Sequence, residues 1–219
     1  MKYSNLDLQA RINALIPKSE IAVDGEKGPA TRRAVRAAML LRDVETEEEL
    51  FHESGLHRIV WHWSAGFKTP TDDDLKHYNS MHDYKGKTYE GSAKPEDQAN
   101  YDWRKGVGVS HTRNCNTGTI GQAVAGMYGS QGWPSLIWGH HKITWEGIDS
   151  MLQRSAEHCK KFDIPVTKWS TLSHAEVEQT LNIKQKNKWD FMVLPGSTRT
   201  ENAVKIGDIL RARMIKKFM

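Results

Sequence analysis

The chain has 219 residues, of which 38% are hydrophobic and 8 are tryptophan, enough for a packed core without disulfide support. No apolar run approaches the roughly 18 residues of a membrane-spanning helix, and the start of the sequence lacks the apolar centre of a secretory signal. The net charge of +4 allows a polyanionic partner such as nucleic acid or an anionic cell-wall polymer, but no nucleic-acid-binding motif is present.

The two cysteines, Cys115 and Cys159, are too few for a disulfide framework and lack the paired spacing of a structural zinc site. We therefore expect both to be free thiols. The missing signal indicates synthesis in the cytoplasm, so any action outside the cell would depend on another protein for release.

The first predicted element is a helix over residues 5–16, where apolar residues repeat at helical spacing behind a capping Ser4. A turn at Asp24-Gly25 leads to a second helix that begins at Pro29 and ends near Leu41. The residues of this helix that are expected to face inward are Ala34, Val35, Ala38 and Leu41.

An acidic, polar stretch follows over residues 43–53 and is typical of a solvated linker. We place a domain boundary in this stretch. The sequence thus predicts a small all-α module over residues 1–45 and a larger domain over residues 50–219.

The larger domain begins with the apolar run Ile59-Val60-Trp61, which predicts a buried central strand that ends at the turn Ser64-Ala65-Gly66. The further predicted elements are a hairpin over residues 78–91, a strand–loop–strand unit over residues 106–127, a helix over residues 144–162 and a closing amphipathic helix over residues 200–218. Strands that alternate with helices indicate an α/β fold, with a central mixed sheet flanked by helices.

Three potential metal ligands lie near the ends of separate predicted elements: His62, His174 and Asp190. Two neutral imidazoles and a carboxylate form a catalytic zinc set that leaves one coordination position open. The spacing alone is a weak signal, because no helical His-x-x-x-His motif is present and 10 histidines allow accidental triples. A core histidine that hydrogen-bonds a backbone carbonyl is the alternative for His62.

Several short motifs occur in order near the start of the chain: Leu8-Gln9, Val23-Asp24-Gly25, Gly28-Pro29, Thr31 and Ala34-Val35. With them, residues 4–42 resemble the small helical peptidoglycan-binding module of bacterial and phage wall hydrolases. Ala38-Met39 departs from this pattern, which usually has an aromatic-glutamine pair there. The resemblance implies wall binding, and a structural cap on the second domain is the alternative.

Further motifs occur in order along residues 57–196: Ile59 to Gly66, Tyr78-Asn79-Ser80 with Gly86, Ser110-His111 with Asn116 to Gly121, and His174-Ala175-Glu176 with Lys188-Trp189-Asp190. In these motifs the segment resembles zinc-dependent N-acetylmuramoyl-L-alanine amidases of the phage lysozyme and peptidoglycan-recognition type. The resemblance implies that His62, His174 and Asp190 hold Zn²⁺. The metal would activate water to cleave the amide between N-acetylmuramic acid and L-alanine.

The same resemblance implies roles for three further residues. Lys188 would stabilise the oxyanion. Tyr78 would handle a proton or orient the water, because Ala123 stands where some family members have a glutamate base. His111 would line the cleft and contact the muramyl peptide.

The implied biology is that of a monomeric phage endolysin, made in the host cytoplasm, that acts on bacterial peptidoglycan after a separate membrane-permeabilising protein releases it. Two alternatives remain open at this point. One is a non-catalytic peptidoglycan-recognition protein, and the other is an amidase that recycles soluble muropeptides.

Three remaining sets of polar residues are not assigned to the site. Two roles are open for Glu176: a partner that orients a ligand histidine and, as the favoured prediction, a solvated residue at a helix start. His140-His141 is predicted to lie on the surface. The basic residues that end the last helix favour its dipole and need no ligand. They are Arg211, Arg213, Lys216 and Lys217.

Overall fold

The computed structural model describes residues 3–219. Its helices are α1 (Asn5–Leu15), α2 (Pro29–Arg42), α3 (Trp145–Lys161), α4 (Val177–Leu181) and α5 (Ala203–Phe218). Its strands are β1 (Arg58–Trp63), β2 (Ser80–His82), β3 (Thr88–Glu90), β4 (Thr119–Val124) and β5 (Thr171–Ser173). In this part of the chain, no helix has both the length and the apolar character required to cross a bilayer.

The strands form one mixed sheet in the order β3-β2-β4-β1-β5. β1 pairs in parallel with both β4 and β5, β4 pairs in parallel with β2, and β2 and β3 form an antiparallel hairpin. β1 is therefore an interior strand, as its unbroken apolar run predicts. The predicted α/β fold with a mixed sheet flanked by helices is confirmed.

Successive residues of β1 point to opposite faces of the sheet. Ile59 and Trp61 pack in the larger apolar core, which includes residues of α3 and α5. Val60 packs on the other face with residues of α1 and α4. His62 follows on the Val60 face, close to the carboxyl end of β1, and this edge is where open α/β sheets bind their ligands.

α1 contributes to two apolar cores. Ala10 and Ala14 pack with the sheet and α4, whereas Ile12 packs with residues of α2. At the start of β1, the Arg58 guanidinium donates to the Asp7 carboxylate of α1 at 2.9 Å. α1 thus packs directly on the sheet, and the division of the chain into two domains remains a prediction.

Side-chain exposure in the N-terminal region differs from two expectations. Leu41 is 63% exposed rather than inward-facing, because α2 buries a narrow stripe that includes Val35 and Ala38. The acidic stretch is not solvated throughout, since Leu50 and Phe51 are buried against α1 and α2. An apolar pair at the end of a charged run therefore anchors the connection between α2 and β1.

The first half of the predicted strand–loop–strand unit is irregular, whereas β4 forms as predicted. The side chain of Gln98 takes the place of a partner strand. Its Oε1 accepts from the Val109 N–H at 2.6 Å, and its Nε2 donates to the Val109 carbonyl at 3.1 Å. Because a single amide satisfies both backbone groups, the extended segment needs no neighbouring strand.

A polar layer lies between α3 and the sheet. His82 Nδ1 lies 2.8 Å from Ser150 Oγ, and His158 is buried on the same helix as Ser150. Burial, together with the charge of Arg154, lowers the pKa of His82 to about 3 and that of His158 to about 4. Both imidazoles are therefore held neutral in the folded protein.

We expect the free energy of unfolding to fall as the pH drops below about 6.5, where these histidines charge first in the unfolded chain. Their contribution is fully present above that value and is lost progressively down to their lowered folded pKa values. Each adds a slope of up to about 1.4 kcal/mol per pH unit. Urea unfolding at stepped pH should show a flatter slope for His158→Gln and no change for exposed His140→Gln. An unaltered slope in His158→Gln would contradict this account.

Candidate metal centre

The three predicted ligands come from three elements of the fold. His62 lies near the end of β1, His174 directly follows β5, and Asp190 lies in the loop between α4 and α5. One ligand atom from each residue lies within 4.8 Å of the other two, and all three residues are buried. Within residues 3–219 this is the one group of three such side chains that converges so closely.

Hydrogen bonds define which nitrogen of His174 faces Asp190. Gln185 Nε2 donates to the backbone carbonyls of Arg113 at 2.9 Å and Ile183 at 3.3 Å. Gln185 Oε1 is thus left to accept from His174 Nε2 at 3.0 Å. A neutral His174 ring then carries its lone pair on Nδ1, which lies 3.3 Å from Asp190 Oδ2. Two acceptors at this distance require a proton or a cation between them.

The electrostatics of His62 also suit a cation. Burial lowers its pKa well below 6.5, and positive charge on His174 or His111 would lower it further. The imidazole is therefore neutral and keeps a lone pair. Two neutral imidazoles and one carboxylate, all buried, are a donor set that fits Zn²⁺.

The other predicted site residues line the same cleft. The Tyr78 ring centroid lies 5.2 Å from that of His62, and burial together with the Asp190 charge raises the pKa of the phenol. Lys188 is exposed at the rim. His111 Nδ1 lies 3.2 Å from His62 Nε2, so His111 contacts a candidate ligand. The structure thus gathers all six residues around one opening.

Asn79 ties the backbone beside Tyr78 to β4, a role that the sequence did not reveal. Its backbone N–H donates to the Gly121 carbonyl at 2.8 Å, and its side-chain Oδ1 accepts from the Gly121 N–H at 2.9 Å. Both bonds fix the backbone next to Tyr78. A Cβ on Gly121 would lie 2.4 Å from the His111 ring, so glycine is required for that ring to lie over β4.

Glu176 is fully buried, and the prediction of a solvated residue is wrong. Its carboxylate accepts from the Ser173 N–H at 2.7 Å and from the Arg211 guanidinium at 2.8 Å. It holds the turn that carries His174, and α5 approaches so closely that a Cβ on Gly207 would lie 2.2 Å from Glu176 Oε2. The capping-box spacing from Ser173 to Glu176 was the signal available in the sequence.

The basic residues of α5 are used within the chain. Arg211 is buried against Glu176, while Arg213 and Lys217 donate to the Asp149 carboxylate of α3 at 2.8 and 2.6 Å. Three of the four basic residues are thus paired within the chain, and the expectation that the cluster needs no external ligand stays a prediction. The prediction of free thiols is confirmed, since both cysteines are buried and unpaired.

No protein-family model and no curated protein matches the chain. Among solved structures, the chain is similar to the N-acetylmuramoyl-L-alanine amidase LysC from Clostridium intestinale URNW, with 14% sequence identity and a TM-score of 0.41. The match covers 71% of this chain and 85% of that chain. A similarity of this size assigns no activity.

The site can therefore be described by its own chemistry. A cation held by the three buried ligands would lie where a hydroxyl, an imidazole and an ammonium group line the same cleft. Such an arrangement suits hydrolysis of a polarised carbonyl compound, because it combines a Lewis acid with fixed donors for developing negative charge.

Proposed function

We propose that the protein is a zinc-dependent N-acetylmuramoyl-L-alanine amidase that hydrolyses bacterial peptidoglycan. The convergence of His62, His174 and Asp190 in a cleft shared with Tyr78 and Lys188 carries this proposal. The order of the amidase-like motifs supports it. The finer proposal is a phage endolysin, whose first 45 residues would attach it to the wall.

Each residue of the cleft would then have a defined task. His62, His174 and Asp190 would hold Zn²⁺, and the bound metal would polarise the lactyl carbonyl and lower the pKa of the attacking water. Tyr78 would orient that water through its hydroxyl group. Lys188 would compensate the negative charge that develops on the carbonyl oxygen.

The β1–β4 register supports the assignment of Tyr78. It pairs His62 with Ala123, so the β4 residue next to this candidate metal ligand has only a methyl side chain. Tyr78 lines the cleft from the segment before β2, and it packs against the small apolar cluster that includes Ala123. Proton transfer in the cleft would therefore depend on Tyr78 and not on a carboxylate from β4.

Mass spectrometry of digested, purified peptidoglycan tests the proposed reaction. We expect products with a free lactyl carboxylate on muramic acid and a free amine on L-alanine, formed only when the protein is not treated with chelator. Cleavage of a glycosidic or an interpeptide bond would contradict the proposal. Full activity after metal removal would contradict the zinc requirement.

Replacing Gln185 with leucine is expected to weaken zinc binding by about 10- to 100-fold, because His174 loses the acceptor that fixes its tautomer. Competition titration against a chromophoric chelator would measure this change. Gln179→Leu, an exposed glutamine on α4, serves as the matched control. Equal zinc affinities in the two variants would show that Gln185 does not orient the ligand.

A further inference from the structure

An exposed aromatic surface follows the carboxyl ends of β1 and β4. Phe67 and Tyr128 stack with ring centroids 5.1 Å apart and an interplanar angle of 18°, yet they remain 51% and 48% exposed. The His141 ring lies against the same pair, 5.4 Å from Phe67. We call these three residues the aromatic platform. Exposed apolar rings that are already paired in a fixed geometry are typical of a binding surface.

The backbone holds the platform in place. The Tyr128 N–H donates to the Gly66 carbonyl at 3.0 Å, and the Tyr128 carbonyl accepts from the His140 N–H at 3.0 Å. The Met127 N–H donates to the carbonyl of His141. The rings are therefore presented by three hydrogen-bonded segments and need little ordering when a ligand binds.

The platform lies close to the cleft along the backbone. Ala65 lines the cleft, and Phe67 is only two residues further along the chain, a span of at most about 7 Å. The bridge between Gly66 and Met127 places Tyr128 beside the same segment. At the backbone, the platform therefore begins within about 7 Å of a residue that lines the cleft.

We propose that the aromatic platform binds the glycan strand of the substrate, stacking a sugar next to the muramic acid whose amide is cleaved. This inference rests on the proposed function. The scissile amide is attached to a sugar, so the glycan must pass beside the cleft. The C–H groups on a sugar face are weakly positive and complement the negative face of an aromatic ring. The stacked pair of Phe67 and Tyr128 presents ring faces and carries neither an amine nor a carboxyl group that would pair with the ionised stem peptide.

Titration of the zinc-loaded, full-length protein with the tetramer of N-acetylglucosamine tests binding without hydrolysis, because this probe lacks the lactyl amide. We expect Phe67→Ala and Tyr128→Ala each to weaken binding about tenfold. Phe67→Trp should retain binding, and Phe67→Leu, which keeps apolar area but no ring face, should not. Ile215→Ala, a control at a 51% exposed apolar position on α5, should bind like the wild type.

Kinetics with two substrates separate this inference from the proposed function. In Phe67→Ala, the fold-decrease in kcat/KM should be about ten times larger for long glycan strands than for muramyl dipeptide, which carries a single sugar. Equal losses on both substrates, or unchanged tetramer binding in both alanine variants, would overturn the glycan assignment. Preferred binding of sugar-free stem peptide at the platform would also overturn it. If the wild type cleaves neither substrate, the amidase proposal fails. The tetramer titration would still show whether the aromatic platform binds glycan.

Discussion

Alanine at position 62 is expected to remove bound zinc and to lower the rate of amide hydrolysis by more than about a hundredfold, since even partners behind a metal ligand contribute 10- to 100-fold. His62 is buried near the end of an interior strand, so the pairing of β1 with β4 fixes the position of its backbone. Loss of the ring leaves His174 Nδ1 and Asp190 Oδ2 facing each other at 3.3 Å without a third donor.

Two measurements on the same preparation check this expectation. Elemental analysis gives the zinc content, and release of the L-alanine amine from muramyl dipeptide gives the rate. His52→Ala is the control, because His52 lies outside the cleft and hydrogen-bonds Ser54. Zinc retained at full stoichiometry together with wild-type activity in His62→Ala would remove the mechanism proposed above.

Replacing Arg211 with methionine is expected to lower the free energy of unfolding by about 3–5 kcal/mol, because it leaves the carboxylate of Glu176 buried without its counterion. The same guanidinium donates to the Thr171 carbonyl at 2.7 Å, so the start of β5 loses a hydrogen bond as well. Since Glu176 holds the turn that carries His174, we also expect weaker zinc binding in this variant.

Arg213→Met provides a matched control two residues further along α5. Arg213 pairs with Asp149 at the partly exposed surface, and losing such a pair costs at most about 1 kcal/mol. Urea unfolding of both variants gives the comparison. In the double variant Glu176→Gln with Arg211→Met, the loss should be smaller than the sum of the single losses. Additive losses would show that the two side chains act independently.

The parts of the fold that the sequence predicts are those in which local pattern and tertiary contacts agree. α3 begins after the Thr144 cap and has a continuous apolar face, and β1 is an apolar run, so both were predicted correctly. The convergence of His62, His174 and Asp190 could not be derived from their spacing. It depends on the parallel pairing of β1 with β5, and the family resemblance was needed to suggest it.

The residues whose roles the sequence did not reveal use their side chains to form hydrogen bonds with backbone groups that are far along the chain or outside regular elements. Gln98 replaces a partner strand for Val109, and Gln185 bonds the carbonyl of Arg113 while it orients His174. Glu176 has the local spacing of a capping residue, but its burial depends on Arg211, which lies 35 positions away. Hydrophobic periodicity carries no information on such contacts.

The double role of α1 bears on how this protein could evolve. Recombination exchanges segments without loss of stability only where few contacts cross the boundary between them. Here Ala10 and Ala14 cover one face of the sheet. In addition, Asp7 accepts a hydrogen bond from Arg58 at the start of β1, the strand that carries His62. If an unrelated segment replaced the first 45 residues, the apolar side chains on that face of the sheet would lose their cover from α1. Under the proposed wall-binding role of this region, changes in attachment would therefore have to arise by substitution on the outer surface of α2, with α1 inherited together with the cleft.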